Sequence, residues 1–376
     1  MYSGEFNSFD SEEVVSCLFK IDTLCDDLQT KKLLASKFLT NKYMFIFKEL
    51  ISIFFSFIFI IFIPLFLFSS NIMGSRKKFF FSRIFIPTEN KRLKSNREIF
   101  EHDYFFNQKI VKWPSIPSLT LSDLKFIFRV FLKTKFQLGI FLVFFKTIFY
   151  VTRLRTLINL HNPNSICMFN EWDLITPTIH KYLNENNILF EILMHGDKAY
   201  ELADAYTSAD FIYIWSLEYK KIFEDLRVKA KFKNIGFPRY FVFNVNSEEM
   251  VNEVYFIPPI KKNFFKEEKK IHIHSIKEFV SKVKPLIKLH PKHQKEQKKF
   301  LKLKSYNRLT SKLVFDKSSI VVGYVSTVLY RAAISGINVK VINCIKTEQM
   351  SKYHPLFSMK NVSLVDFHEV NQIVRS

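Results

Sequence analysis

Residues 165–196 read SICMFNEWDLITPTIHKYLNENNILFEILMHG, and their rhythm decides the fold class. Ser165–Asn170 is a short apolar run. Thr176–Asn187 then spaces its apolar residues for a helix, with Pro177 near the start, where proline's missing N–H leaves no bond unmade. Ile188–Met194 is apolar again and ends at His195-Gly196. Two short apolar runs joined by one helix predict parallel strands with a crossover. A connection of that length returns the chain to begin the next strand in the same direction.

The same rhythm continues downstream. A helix is expected around Lys198–Tyr206, a strand at Phe211–Trp215, a helix at Leu217–Val228 and a strand at Lys231–Ile235, before Gly236-Phe237-Pro238-Arg239. Phe241–Asn252 is polar and reads as a linker. Strands at Glu253–Ile257, Pro285–Leu289, Lys317–Val322 and Val339–Asn343 then alternate with helices at Ile273–Lys282, Lys292–Leu303 and Thr327–Ser335. Two successive α/β runs in a chain of 376 residues predict an α/β protein of two Rossmann-type, doubly wound domains facing a ligand cleft.

Composition narrows the function classes. Hydrophobic residues make up 48% of the chain, which excludes a disordered polymer. Cys17, Cys25, Cys167 and Cys344 are scattered, with no paired spacing and no histidine cluster. That pattern argues against a zinc site or a disulfide framework and suits a reducing compartment. No secretory signal opens the chain. The formal charge of +21 asks for an anionic partner: nucleic acid, lipid or a phosphate-bearing substrate. Basic residues are densest at Arg76–Lys78, Lys91–Arg97 and Lys292–Lys304, and no zinc finger, RNP pair or KH-type loop accompanies them. A membrane surface and an anionic donor account for the charge without nucleic acid.

Residues 1–42 form an acidic N-terminal segment. From Tyr43 to Phe68 the chain is apolar, and Ile51–Phe68 carries no charge. As a helix that run is roughly 27 Å long, close to the thickness of a bilayer's hydrocarbon core. It reads as a membrane helix, spanning or embedded, against the competing reading of a buried core helix. Pro64 would kink it. Arg76, Lys77, Lys78 and Arg83 follow, placing the C-terminal bulk in the cytosol by the positive-inside rule. A second apolar stretch, Phe126–Leu160, is interrupted by Arg129, Lys133, Lys135, Lys146, Arg153 and Arg155. It reads as one or two basic amphipathic helices, suited either to a headgroup surface or to an ordinary domain face.

The residues with chemistry to offer sit at strand ends. Leu286-Ile287-Lys288-Leu289-His290-Pro291 delivers His290 at the carboxyl end of a strand, where open α/β sheets bind ligands, with Lys288 two residues earlier on the same face. Gly323-Tyr324-Val325-Ser326-Thr327 leads from a strand into a helix, so its hydroxyls and free N–H groups form an anion site or a plain N-cap. Glu171 and Asp173 follow the first strand of the opening segment, Asp173 also being placed to cap the helix at Thr176. His272 and His274 alternate on a strand-like stretch without a carboxylate or cysteine at ligand spacing, which points to a solvated edge and not a metal site. A Gly-rich dinucleotide loop, a Walker lysine loop and a Gly-x-Ser-x-Gly elbow are all absent.

A strand ending in His290-Pro291, then a helix, a strand and the Ser326-Thr327 helix start, resembles the C-terminal halves of bacterial sialyltransferases and polysialyltransferases. It is similar too to capsule-polysaccharide and CDP-glycerol phosphotransferases. The order His195-Gly196, Ala209-Asp210, Trp215 and Gly236-Phe237-Pro238-Arg239 resembles the N-terminal domains of capsule and teichoic-type transferases. The resemblance covers about residues 160–345. It implies a GT-B-like fold, with residues 69–245 on the acceptor side and 246–376 binding the donor. It also implies that His290, Ser326 and Thr327, with Lys288 nearby, hold the phosphate of a CMP- or CDP-activated donor, and that His195, Glu171 or Asp173 supplies the base. This chain departs from its relatives at Gly323, where they often have Asp, and at Tyr330-Arg331, where they often have an acid that meets the ribose.

The expectation is therefore an inverting, metal-independent glycosyltransferase that needs no cofactor. It would move a sialic-acid-like or other ulosonic sugar from a CMP-type donor to a glycan or lipid-linked acceptor at an anionic membrane surface. CDP-alditol phosphotransfer and a non-catalytic scaffold in polysaccharide assembly are the alternatives.

Overall fold

The computed structural model describes residues 11–39, 42–74, 82–86, 109–133, 139–169, 173–194, 198, 200–237, 242–243, 245–246, 253–259, 269–289, 294–301, 306–310, 313, 315–316, 319–366 and 369. The chain divides into two compact units. The first is Met1–His195 with Tyr200–Gly236, and the second is Gly196–Ala199 with Phe237–Ser376.

The first unit begins with helices α1 (Ser11–Leu24), α2 (Leu28–Leu39) and α3 (Lys42–Gly74). Strands β1 (Arg83–Ile86) and β2 (Lys109–Ile110) follow, then helices α4 (Leu121–Lys133) and α5 (Ile140–His161). The crossover rhythm completes it: β3 (Ser165–Met168), α6 (Thr176–Glu185), β4 (Leu189–Leu193), β5 (Ser208–Ile214), α7 (Glu218–Asp225) and β6 (Lys229–Asn234). The six strands form one parallel sheet in the order β2-β1-β3-β4-β5-β6. Every residue of β3 is buried, as expected of a parallel strand covered on both faces.

The second unit contains β7 (Val245–Asn246), β8 (Val254–Ile257), α8 (Lys269–Val283), β9 (Leu286–Lys288), α9 (Gln294–Phe300), β10 (Leu309–Thr310) and β11 (Phe315–Asp316). It continues through β12 (Ile320–Gly323), α10 (Thr327–Ile334), β13 (Asn338–Ile342), α11 (Ile345–Ser351), a 3-10 turn at Pro355–Ser358 and β14 (Val362–Val365). Its main sheet is parallel in the order β10-β9-β8-β12-β13-β14, while β7 and β11 pair separately. Counting only main-sheet strands from β8, that order is the Rossmann 3-2-1-4-5-6. The core beneath it is built from Phe256, Phe279, Ile287, Val322 and Ile342. The protein is thus α/β with twin Rossmann-type parallel sheets, as the strand–helix rhythm implied.

The apolar segment forms α3, with Pro64 inside the helix. The core-helix reading fails: only 17% of its most apolar window is buried. Gly139, at φ 103, breaks the second apolar stretch into α4 and α5. A Cβ at Gly139 would lie 2.7 Å from Phe45 and 2.8 Å from Leu33.

Three local expectations are corrected. No helix forms among the described residues around Lys198–Tyr206: residues 202–206 are turns, and Tyr206 sits at φ 56. Tertiary contacts override the helical spacing there, because the Tyr206 hydroxyl donates to Leu18 O on α1 at 3.0 Å while its N–H bonds Leu226 O. The polar stretch at 241–252 is not merely a linker, since β7 lies within it and Phe243 packs edge-on against Phe315 at 4.9 Å. His272 and His274 lie on α8, one turn earlier than the helix was expected to begin, and His272 is buried.

Candidate functional site

In a doubly wound sheet the ligand crevice opens where successive crossovers depart in opposite directions, at the carboxyl ends of the strands. In the second unit that point lies between β8 and β12. From β8 the chain winds outward to β9 and β10, then returns to start β12 on the other side. Ile257 and Gly323 face each other in register at the carboxyl ends of these two strands. No side chain fits at Gly323: a Cβ there would lie 2.5 Å from Ile257 O and 2.9 Å from Ile257 Cβ. Glycine at this position is a packing requirement of the switch point. An aspartate here would collide with backbone.

Past Gly323 the chain turns through Tyr324 and Val325 into α10. Ser326 is the N-cap in extended conformation (φ −161, ψ 158), and its Oγ accepts from Leu329 N at 3.4 Å. That bond is long for a cap, leaving the hydroxyl weakly committed. Thr327 opens the helix with an exposed side chain. The helix dipole and the N–H groups of the first turn make this end electropositive. Ser326 is thus the N-cap expected of this turn, and the helix start lies directly on the switch point.

Both walls are braced from below. Gln297 of α9, fully buried, donates through Nε2 to Pro259 O at 2.9 Å and fixes the loop that leaves β8. Buried Tyr324 lies with its hydroxyl 3.2 Å from His272 Nδ1 of α8. Sequence reasoning missed these positioning residues. The extra turn of α8 hid the histidine, and nothing local to Gln297 announces a partner 38 residues away.

Lys288 ends β9. Phe256 pairs with Ile287, so one step further sets Lys288 beside Ile257, in the same row as Gly323. Strands β9 and β12 are thus two strand spacings apart, about 10 Å. Burial lowers the Lys288 pKa from its ordinary value. His290, two residues past the end of β9, lies outside the described residues, as do Glu171 and His195.

Helix α10 carries no carboxylate to meet a ribose. Tyr330 is fully buried, edge-on to Phe237 at 5.2 Å and to His354 at 5.7 Å. The Arg331 guanidinium stacks 4.1 Å from the Phe243 ring centre.

In the first unit the strand order reverses between β1 and β3, so the corresponding crevice follows Ile86 and Met168. Asp173 lies just beyond β3 and is tied down. Its Oδ1 accepts from Lys146 Nζ at 3.1 Å and from Ile175 N at 3.2 Å, while Oδ2 accepts from Tyr150 OH at 2.7 Å. These bonds join the turn before α6 to α5, but Asp173 is not the expected helix cap: the N-cap of α6 is Ile175, with no side-chain cap bond. Asp210 is likewise structural, accepting from Phe190 N at 2.7 Å at the amino end of the sheet.

Deeper in this sheet Arg83 of β1 reaches across β3. Its Nε donates to Glu191 Oε2 at 2.6 Å and its Nη2 to Tyr213 OH at 2.5 Å. Glu191 is buried, and burial raises Tyr213 to about 12. Strands β4 and β5 were legible in sequence, but the pairing that sets Arg83 beside Glu191 and Tyr213 was not, so this polar cross-link went unannounced.

No protein-family model matches the chain, and no curated protein matches it in sequence. Among solved structures it resembles UDP-GlcNAc 2-epimerase from Methanocaldococcus jannaschii at 12% identity and a TM-score of 0.40, over 77% of this chain and 90% of that one. The same enzyme in complex with UDP-GlcNAc and UDP matches at 13% identity and a TM-score of 0.44, over 78% and 91%. E. coli heptosyltransferase WaaC with ADP matches at 11% identity and a TM-score of 0.36, over 78% and 99%.

Proposed function

We propose that this chain is an inverting, metal-independent GT-B-type glycosyltransferase working at the cytoplasmic face of a bacterial inner membrane. Its donor is a CMP-activated sialic-acid-like or other ulosonic sugar, and its acceptor a glycan or lipid-linked glycan. The observation that carries the reading is the start of α10 on the switch point of a Rossmann-order sheet. There an electropositive helix end, one weakly committed hydroxyl and one exposed hydroxyl share the carboxyl edge of β12.

Ser326, Thr327 and the first-turn N–H groups hold the donor phosphate, with Lys288 and His290 contributing from the end of β9. Hydrogen bonds to the phosphate strengthen as the sugar departs and charge builds on its oxygens, which is how such a site accelerates transfer. The acceptor hydroxyl needs a base within hydrogen-bond reach. Of His195, Glu171 and Asp173, the last is the weakest candidate, because Lys146 and Tyr150 already occupy its carboxylate.

Calorimetry with CMP and CDP, against UMP and ADP as controls, tests the donor. Ser326→Ala with Thr327→Ala should weaken cytidine-nucleotide binding about 10–100-fold, the worth of charge-assisted bonds, with or without EDTA. Failure of the wild-type chain to bind any of these nucleotides would overturn the transferase. A phosphodiester in the product would assign CDP-alditol phosphotransfer instead.

A further inference from the structure

Helix α3 is long and apolar enough to cross a bilayer, over Tyr43–Ser69. The contacts at its two ends decide whether it does. Before it, α2 is bonded to the first α/β unit. Gln29 Nε2 donates to Leu174 O at 2.9 Å, and buried Lys32 donates to Ala203 O at 2.7 Å and to Thr207 Oγ1 at 2.9 Å. After it, β1 pairs in register with β3 inside the same sheet. Both flanks of α3 therefore belong to one folded body, whereas a spanning helix would put them on opposite sides of about 30 Å of hydrocarbon.

The helix is also docked along its length. Buried Phe45, Glu49, Ser52, Ser56 and Phe59 recur at three- and four-residue spacing and form one inward stripe. The Glu49 carboxylate accepts from Phe141 N at 3.0 Å and Leu142 N at 2.9 Å, at the start of α5. Phe55 meets Phe145 at 5.5 Å, and Leu119 N donates to Phe66 O at 3.2 Å near the far end.

The opposite face is bare. Phe47, Leu50, Phe54, Phe57, Ile61 and Leu65 are all at least 56% exposed. Glu49 is the only acidic residue in α3, and it points inward. Lys48 is exposed near one end, and Arg76, Lys77 and Lys78 follow the other in sequence. An apolar strip with cationic ends and no anion complements the acyl boundary and headgroups of an anionic leaflet.

We infer that α3 is a monotopic anchor, lying in the plane of one anionic leaflet with both of its ends on the same side of the membrane. The inference rests on the membrane part of the function above, not on the sugar-transfer part.

The test uses the full chain expressed in bacterial cells, with Cys25→Ser and a reporter cysteine on each flank at exposed Asp26→Cys or Ser82→Cys. A membrane-impermeant maleimide should label both reporters in inverted membrane vesicles and neither in intact spheroplasts. Labelling of the two from opposite faces overturns the in-plane topology while membrane attachment stands. In flotation assays, the purified chain should bind phosphatidylcholine vesicles containing phosphatidylglycerol more tightly than phosphatidylcholine alone. Phe54→Glu or Ile61→Glu should weaken that binding at least about tenfold without changing thermal stability. Absence of vesicle binding overturns the membrane reading itself, and a dimer abolished by Ile61→Glu in sedimentation would then assign the strip to a second copy.

Discussion

Gly323→Ala isolates the switch point of the second unit. Glycine's freedom at positive φ is not involved, because Gly323 is absent from the left-handed positions. The consequence is steric. The added methyl would sit 2.5 Å from Ile257 O, 2.9 Å from Ile257 Cβ and 3.2 Å from Ile257 C, two of them backbone atoms of a paired strand. No side-chain rotation relieves a clash with a carbonyl, so β8 and β12 must part or shear. Overpacking of this kind costs about 1–3 kcal/mol, whereas a tolerated Gly→Ala change stabilises by about 0.4–1 kcal/mol through the unfolded chain. The net expectation is a loss of about 0.5–2 kcal/mol, or a fall in Tm of about 2–8 °C for the second unit's transition. Differential scanning calorimetry reads the stability and isothermal titration reads cytidine-nucleotide affinity, which should fall as the strand ends separate. A variant with unchanged or raised Tm and unchanged affinity would refute the close approach of the two strands.

Three further outcomes are expected. Glu49→Gln keeps the packing but removes the charge that caps α5, and should cost about 1–2 kcal/mol in chemical denaturation, with no change if the carboxylate contributes nothing. Arg83→Met leaves the buried Glu191 carboxylate uncompensated and should cost about 3–5 kcal/mol, whereas Arg83→Met with Glu191→Leu should recover most of that loss. Tyr213 has a folded pKa of about 12, above its unfolded value near 10, so its neutral form is the one the fold favours. Its contribution to stability is complete below about pH 10 and is lost as pH rises toward 12. Burial also raises Tyr182, Tyr206 and Tyr306, so tyrosinate absorbance should show several late-titrating groups, one fewer of them in Tyr213→Phe.

Sequence alone determined the class of this protein. The alternation of short apolar runs with helices at 165–235 and again from 253 specified two parallel α/β sheets, because periodicity is local. For the same reason the start of α10 at Thr327 and the length of α3 were legible, whereas the second apolar stretch read as one or two helices and only the structure shows α4 and α5 apart.

Only the tertiary structure decided which strands are neighbours, and therefore where the switch points fall. Gly323 read as a departure from relatives until Ile257, 66 residues earlier, was seen in register with it. Helix α3 read as a membrane helix, spanning or embedded, because hydropathy ignores what the flanks do. Gln29, Lys32 and β1 bind both flanks to one body through bonds to distant residues. Short-range patterns encode what a segment becomes, whereas strand order and docking come from pairings whose partners lie far apart in the chain.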